Sequence, residues 1–208
     1  MYIENGRIIE LPTIDQPAVK FPGFLRRGPR QPGLVMDDCL DELTRRATGV
    51  IRQRAKKDQP FFLYFPLPAP HKPAWPHQRF RGKSGLGAYG DFVMQVDGHV
   101  GDLLATLKEA GVDENTLVFF TSDNGCSPQG NFELLKEFGH DPSAGYRGHK
   151  ADVYEGGHRV PFIARWPKSI EAGQKTDALA CLTDLYDTLR EITGQPKKDN
   201  GGEDSFSL

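Results

Sequence analysis

Asp123 and Asn124 stand side by side at the end of an apolar run, Thr116-Leu117-Val118-Phe119-Phe120-Thr121. They put a carboxylate and an amide carbonyl at one place. Both are hard oxygen ligands, suited to Ca²⁺ or Mg²⁺ and not to a soft metal. Gly125, next in sequence, lets the chain turn sharply and approach a ligand. An Asx turn leaving a strand accounts for the same dipeptide and, on the dipeptide alone, is the favoured reading. Lys150, in Arg147-Gly148-His149-Lys150, offers a compact cation suited to a tetrahedral anion, although most lysines are surface residues. His71 lies in Ala69-Pro70-His71-Lys72-Pro73, where flanking prolines hold the backbone extended. An imidazole there can donate to an anion or act as a general acid; a lone loop histidine is more often a bystander. Glu155 and Arg159 flank Gly156-Gly157 and read as structural, an ion pair or backbone clasp that orders the loop.

A nucleophile is harder to find. Cys126-Ser127-Pro128-Gln129-Gly130 begins like a C-x-P signature but has no Arg four residues after the Cys. Cys39 and Cys181 sit in helix-like or apolar surroundings. There is no Gly-x-Ser-x-Gly elbow and no zinc spacing. The chain therefore carries metal-ligand and anion-binding candidates without an identifiable nucleophile.

The elements that must position these residues follow from periodicity. Leu40, Leu43, Ala47, Val50 and Ile51 fall on one stripe and predict a helix over 38–57, which Pro60 bars from continuing. Phe61 to Phe65 is an apolar run between Pro60 and Pro66, the pattern of a strand buried on both faces. A Pro-rich loop leads to a second helix, 89–110, ended by Gly111. Residues 116–121 predict a second buried strand. A loop of about thirty residues follows, a length that compact domains seldom carry without function. Residues 160–166 predict a third strand, edge or bulged because of Pro161. A last helix runs through Leu182, Leu185, Leu189 and Ile192, capped by Thr183 or Asp184 and stopped by Gly194. This order predicts an α/β architecture with a mostly parallel sheet flanked by helices. Sites in such sheets lie at the carboxyl ends of strands, which points to the loop of His71 and to Asp123-Asn124.

Composition sets the outer limits. The 208 residues carry a net charge of −2, which excludes a strongly basic nucleic-acid binder. No apolar run approaches the roughly 20 residues that cross a bilayer. Met1-Tyr2-Ile3-Glu4-Asn5 reads as no export signal. Three cysteines are too few for a disulfide framework. With 23 Gly and 16 Pro the chain is rich in turns and long loops. The division expected is an extended segment over 1–37, a catalytic-type domain over 38–195 and a polar tail over 196–208.

The ordered set Ala69-Pro70-His71, Gly87-Ala88-Tyr89-Gly90-Asp91-Phe92 with Asp97, Thr116 to Gly125, Arg147 to Lys150 and Tyr154 to Phe162 resembles the type I sulfatases of the alkaline-phosphatase-like superfamily. The resemblance spans roughly residues 60–195. It implies a partial alkaline-phosphatase-like sandwich and Ca²⁺-assisted hydrolysis of a sulfate ester, with a sulfated small molecule or glycan as partner. It implies Asp123 and Asn124 as ligands of Ca²⁺, in preference to Mg²⁺. Lys150 matches a sulfate-contacting lysine, and His71 a histidine near the sulfate and the leaving oxygen. The family nucleophile is a formylglycine made from the cysteine of C-x-P-S-R, and that motif is absent here, as are the paired aspartates of the first strand and the lysine and histidine of the first half. The chain thus reads as the interior and later part of a sulfatase, inactive by itself. The family also implies an extracytoplasmic setting. Two alternatives remain: a phosphatase, phosphodiesterase or phosphonate hydrolase of the same superfamily, or a non-catalytic module that binds Ca²⁺ or an anion.

Overall fold

The computed structural model describes residues 1–20 and 24–208. Pro22 and Gly23, part of the segment read as extended loop, lie outside the described residues. The chain forms two compact units, Met1–Ser169 and Ile170–Leu208.

In the first unit the expected extended segment contains two small hairpins. β1 (Ile3–Glu4) pairs antiparallel with β2 (Arg7–Ile8). Asn5 and Gly6, both at positive φ, form the two-residue turn that suits a hairpin. β3 (Ile14–Gln16) pairs antiparallel with β4 (Gly28–Arg30), and Arg27 bridges to Asp15 at 2.8 Å.

Helix α1 (Cys39–Arg54) buries Leu40, Thr44, Ala47, Thr48 and Ile51. This is a true i, i+4, i+7, i+8, i+11 stripe; Val50 lies off it and is exposed. Asp41 and Glu42 in the first turn and Arg52 and Arg54 in the last complement the helix dipole. Helix α2 (Gly87–Glu109) packs on α1, with Phe92 against Leu40 and His99 3.1 Å from Asp41, and also buries Val96 and Leu107. Gly111 closes it at φ 72°: its N–H donates to Lys108 O at 3.1 Å and that of Val112 to Leu107 O at 3.1 Å, satisfying two orphan carbonyls. The core joins Leu40, Phe92 and Ala74, with Leu43, Leu67, Ala69 and Ala88 packed around them. The Pro-rich loop is thus fastened to both helices. Asp91, almost fully buried, accepts from Gly82 N–H at 2.7 Å, Ser84 N–H at 2.9 Å and Ser84 Oγ at 2.7 Å. Burial alone would raise its pKa, and these hydrogen bonds outweigh that and hold the carboxyl below its usual range.

The α/β class holds, but among the described residues the expected parallel sheet is not formed. Among the described residues every strand pair is antiparallel. β5 (Val118–Thr121) pairs with β6 (Phe162–Arg165) in the register Val118↔Arg165 to Thr121↔Phe162. Phe119 and Phe162 pack at 5.5 Å between ring centroids, and Arg165 grips Asp113 through two bonds of 2.7 and 2.8 Å. Phe61 to Phe65 does not enter a sheet either. Phe62 and Tyr64 are 74% and 76% exposed while Phe61, Leu63 and Phe65 are half-buried. The segment has a strand's alternation with no ladder partner, because hydrogen-bond pairing, unlike alternation, needs a neighbour.

Two short helices interrupt the long loop between β5 and β6: α3 (Phe132–Glu137), capped by Asn131, and α4 (Glu155–His158). Both are too short for periodicity to register in sequence.

In the second unit a 3₁₀ turn (Leu182–Asp184) leads into α5 (Leu185–Ile192). The expected capping by Thr183 or Asp184 is refined: Asp184 Oδ2 accepts the Cys181 N–H at 2.7 Å. Gly194 ends the helix at φ 66°. The tail, polar in composition, folds back on α5. Ser205 is 3% exposed and its Oγ accepts the Asp187 N–H at 2.9 Å; Phe206 N–H donates to Asp184 Oδ1 at 2.9 Å and Leu208 N–H to Thr188 Oγ1 at 3.0 Å.

Candidate functional site

Strand β5 ends at Thr121 and delivers Ser122 to Cys126 as a turn. Ser122 Oγ donates to Asn124 O at 3.1 Å, and the Asn124 amide group donates to Gly125 O at 3.0 Å. The second bond commits the amide nitrogen and leaves the amide oxygen for another donor or a cation. The turn is clasped to the segment Arg147–Arg159 at two points. Gly125 N–H donates to Gly157 O at 2.8 Å, and Lys150 N–H donates to Cys126 O at 2.9 Å.

The clasp explains its glycines. A Cβ on Gly125 would lie 1.9 Å from Gly156 O, one on Gly156 2.2 Å from Gly148 O, and one on Gly157 2.1 Å from Asp152 O. Backbone meets backbone at all three, and no rotamer relieves the clash. Within the segment, Gly156 N–H donates to Arg147 O at 2.8 Å and Asp152 N–H to His149 O at 2.9 Å. Lys150 sits between Gly148 at φ 88° and Ala151 at φ 80°. A left-handed conformation at an alanine is strained, and such strain is stored where a side chain must be aimed. The His149 N–H donates to Asp152 Oδ2 at 3.0 Å and the His149 Nδ1–H to Lys150 O at 2.9 Å.

Asp123 is exposed, and its carboxylate makes no hydrogen bond or ion pair among the described residues. The Lys150 ammonium likewise has no acidic partner among them. A free carboxylate, a free amide oxygen and a free ammonium are therefore held on two loops fastened together. Glu155 and Arg159 form an ion pair at 2.9 Å across α4, with Arg159 also 4.7 Å over the Tyr146 ring; Arg147 stacks 3.7 Å over Tyr154. His71 is exposed on the separate Pro-rich loop. Its Nδ1–H donates to Lys72 O at 2.6 Å, and it makes no hydrogen bond to the clasp among the described residues.

Cys126 lies beneath the clasp. Its thiol donates to Tyr89 Oη at 3.2 Å, linking the turn to the first turn of α2. Burial is the largest influence on this thiol and pushes it up from its ordinary value, which disfavours the thiolate. Burial also raises Cys39. Thr183 holds the exposed Cys181 thiol lower, but that residue belongs to the second unit.

For a cation, the donor set is chemically apt but partial. Asp123 and Asn124 supply two hard oxygens. No group of three or more His, Cys, Asp or Glu that could hold a metal occurs among the described residues. Ca²⁺ takes six to eight oxygens, so these two fit as part of its shell. His149 and Asp152, which sequence reasoning did not single out as site residues, join the clasp; the signal available was only a second imidazole beside Lys150.

The Sulfatase family model matches residues 16–195. The N-acetylgalactosamine-6-O-sulfatase of Bacteroides thetaiotaomicron is 38% identical over 174 residues, 81% of this chain and 33% of the relative. Human steryl-sulfatase is 38% identical over 161 residues, 75% of this chain and 27% of the relative. A solved structure from work on the metabolism of multiple glycosaminoglycans by Bacteroides thetaiotaomicron superposes with TM-score 0.80 at 36% identity, covering 89% of this chain and 39% of that one. A structure of Ps i-CgsB in complex with a neocarrahexaose superposes with TM-score 0.67 at 28% identity, covering 88% and 39%. The chain spans about a third of the length of the curated relatives it matches. With the family model matching residues 16–195 and the fold shared with these structures, the chain belongs to the sulfatase family.

Proposed function

We propose that the protein serves the hydrolysis of a sulfate ester on a glycan, with Ca²⁺ as its cation. The observation that carries this is the clasp: two loops fastened backbone to backbone present Asp123, Asn124 and Lys150 with their charges and oxygen unneutralised. Asp123 and Asn124 would hold the cation. When bound, it supplies a positive charge that polarises the sulfate oxygens. Lys150 binds a sulfate oxygen and stabilises the charge that develops there. His71 gives a proton to the leaving oxygen. The glycan class is supported by the relatives, one named for N-acetylgalactosamine 6-sulfate and one solved with a carrageenan oligosaccharide.

The family's nucleophile motif C-x-P-S-R is absent from the sequence, and Cys126 is a half-buried thiol outside any such motif. We therefore propose that the chain alone binds a sulfated sugar without turning it over. The family resemblance supports an extracytoplasmic setting for this activity.

The test is a titration of the 208-residue chain, in millimolar Ca²⁺, with N-acetylgalactosamine 6-sulfate, its 6-phosphate and the unmodified sugar. The sulfated sugar binds best, and Lys150→Ala loses that preference. Better binding of the phosphate ester would favour a phosphatase-type member of the superfamily. Equal binding of all three sugars would overturn the proposal.

A further inference from the structure

Beside Lys150 the same turn carries a second group with an ordered hydrogen-bonding state. The His149 Nδ1–H donates to Lys150 O at 2.9 Å, and Asp152 Oδ2 lies 3.5 Å from the same nitrogen. A ring nitrogen that faces a carbonyl and a carboxylate oxygen carries the proton, which in the neutral imidazole leaves Nε2 as the acceptor. The carboxylate is itself fixed, since it accepts the His149 backbone N–H at 3.0 Å. The ring is braced edge-on by Phe132, 5.9 Å between centroids. Its side chain is 40% exposed, and Nε2 has no partner among the described residues. The result is an imidazole of set tautomer and orientation, on a side chain that is partly exposed, on the residue next to the proposed sulfate-binding ammonium.

We propose that His149, oriented by Asp152, contacts the substrate: its Nε2 accepts a hydrogen bond from a hydroxyl of the sulfated sugar whose sulfate is held by Lys150. This rests on the sulfatase reading of Lys150. It assigns to the clasp a contact that reads the sugar and not the sulfate. His149 is then a specificity-determining residue, and Asp152 a positioning residue that acts through it.

Two probes separate contact from structure: N-acetylgalactosamine 6-sulfate, and inorganic sulfate, which has no sugar hydroxyl. Each is titrated into the full chain and followed by NMR. His149→Ala weakens the sulfated sugar about tenfold, the equivalent of one hydrogen bond, and leaves inorganic sulfate unchanged. Asp152→Asn, which keeps an acceptor oxygen, retains most of the sugar affinity, and Asp152→Ala does not. Equal weakening of both probes by His149→Ala, or of neither, would overturn the proposal. Failure of the sulfatase reading looks different: Lys150→Ala would then leave both probes unaffected.

Discussion

The backbone N–H of Lys150 donates to the carbonyl of Cys126 at 2.9 Å, so the proposed sulfate-binding lysine hangs from the turn that carries Asp123 and Asn124. The two loops cannot shift independently. In the proposed site, a cation held on one loop and an anion held on the other would be brought together by these backbone bonds before any ligand arrives.

Gly125→Ala tests that coupling. The new Cβ would lie 1.9 Å from Gly156 O, and the loops must part. We expect a loss of more than about 4 kcal/mol where the backbone cannot move away, in the range of severe core lesions. If the chain opens instead, the loss is smaller and sulfated-sugar binding disappears. A thermal melt and a sugar titration distinguish these outcomes. Unchanged stability together with unchanged binding would mean that the clasp is not formed.

Ala151→Gly has the opposite sign. Relief of the left-handed alanine at φ 80° outweighs the greater freedom of glycine in the unfolded chain, for a net gain of about 0.5–1 kcal/mol. The melting temperature rises by about 2 °C. Ala151→Val falls, because a β-branched residue tolerates positive φ poorly.

Asp91 gives the chain an acid limit. Its folded-state pKa lies below the ordinary 3.8. Its stabilisation is therefore complete above that pH and is lost as pH falls through the lower folded value. Asp91→Asn keeps one acceptor oxygen and replaces the other by an NH₂ donor, so with the oxygen facing Ser84 the Gly82 N–H loses its acceptor, at a cost of about 1–3 kcal/mol near neutrality. It also flattens the part of the stability curve below about pH 4. Melting temperatures of both proteins between pH 2 and 7 check the sign.

Ca²⁺ binding should be weak and local. With two protein ligands, the dissociation constant is expected on the order of 10⁻³ M or weaker. Amide signals of residues 123–126 move on titration. Asp123→Ala abolishes the movement, and Lys150→Ala, which removes a nearby positive charge, does not weaken it. Movement centred on another acidic region would assign the cation elsewhere.

What was legible in sequence was local. The stripe Leu40, Ala47 and Ile51 placed α1 within a few residues of its ends, and Gly111 marked the end of α2, because helix bonds and C-caps are made within one turn of chain. Phe61 to Phe65 misled for the converse reason: a strand's pattern is local but its pairing is not. The antiparallel register of β5 and β6 likewise depends on residues more than forty apart. Asp123, Asn124 and Lys150 were found as residue types in motifs. What joins them was invisible, since the need for glycine at 125, 156 and 157 arises from backbone atoms that meet only in the fold. The pairing of His149 with Asp152 was missed because it depends on the turn at Ala151, which no propensity predicts for alanine.

The central claim is that one ligand site is shared by the Asp123-Asn124 turn and the Lys150 turn. The most direct measurement replaces Ca²⁺ with paramagnetic Gd³⁺ in the full chain and records, by NMR, which signals broaden. The account predicts that the amides of Asp123, Asn124 and Gly125 and the side-chain signals of Lys150 broaden together, and that all recover in Asp123→Ala. Sharp Lys150 signals beside a broadened Asp123 turn would contradict it.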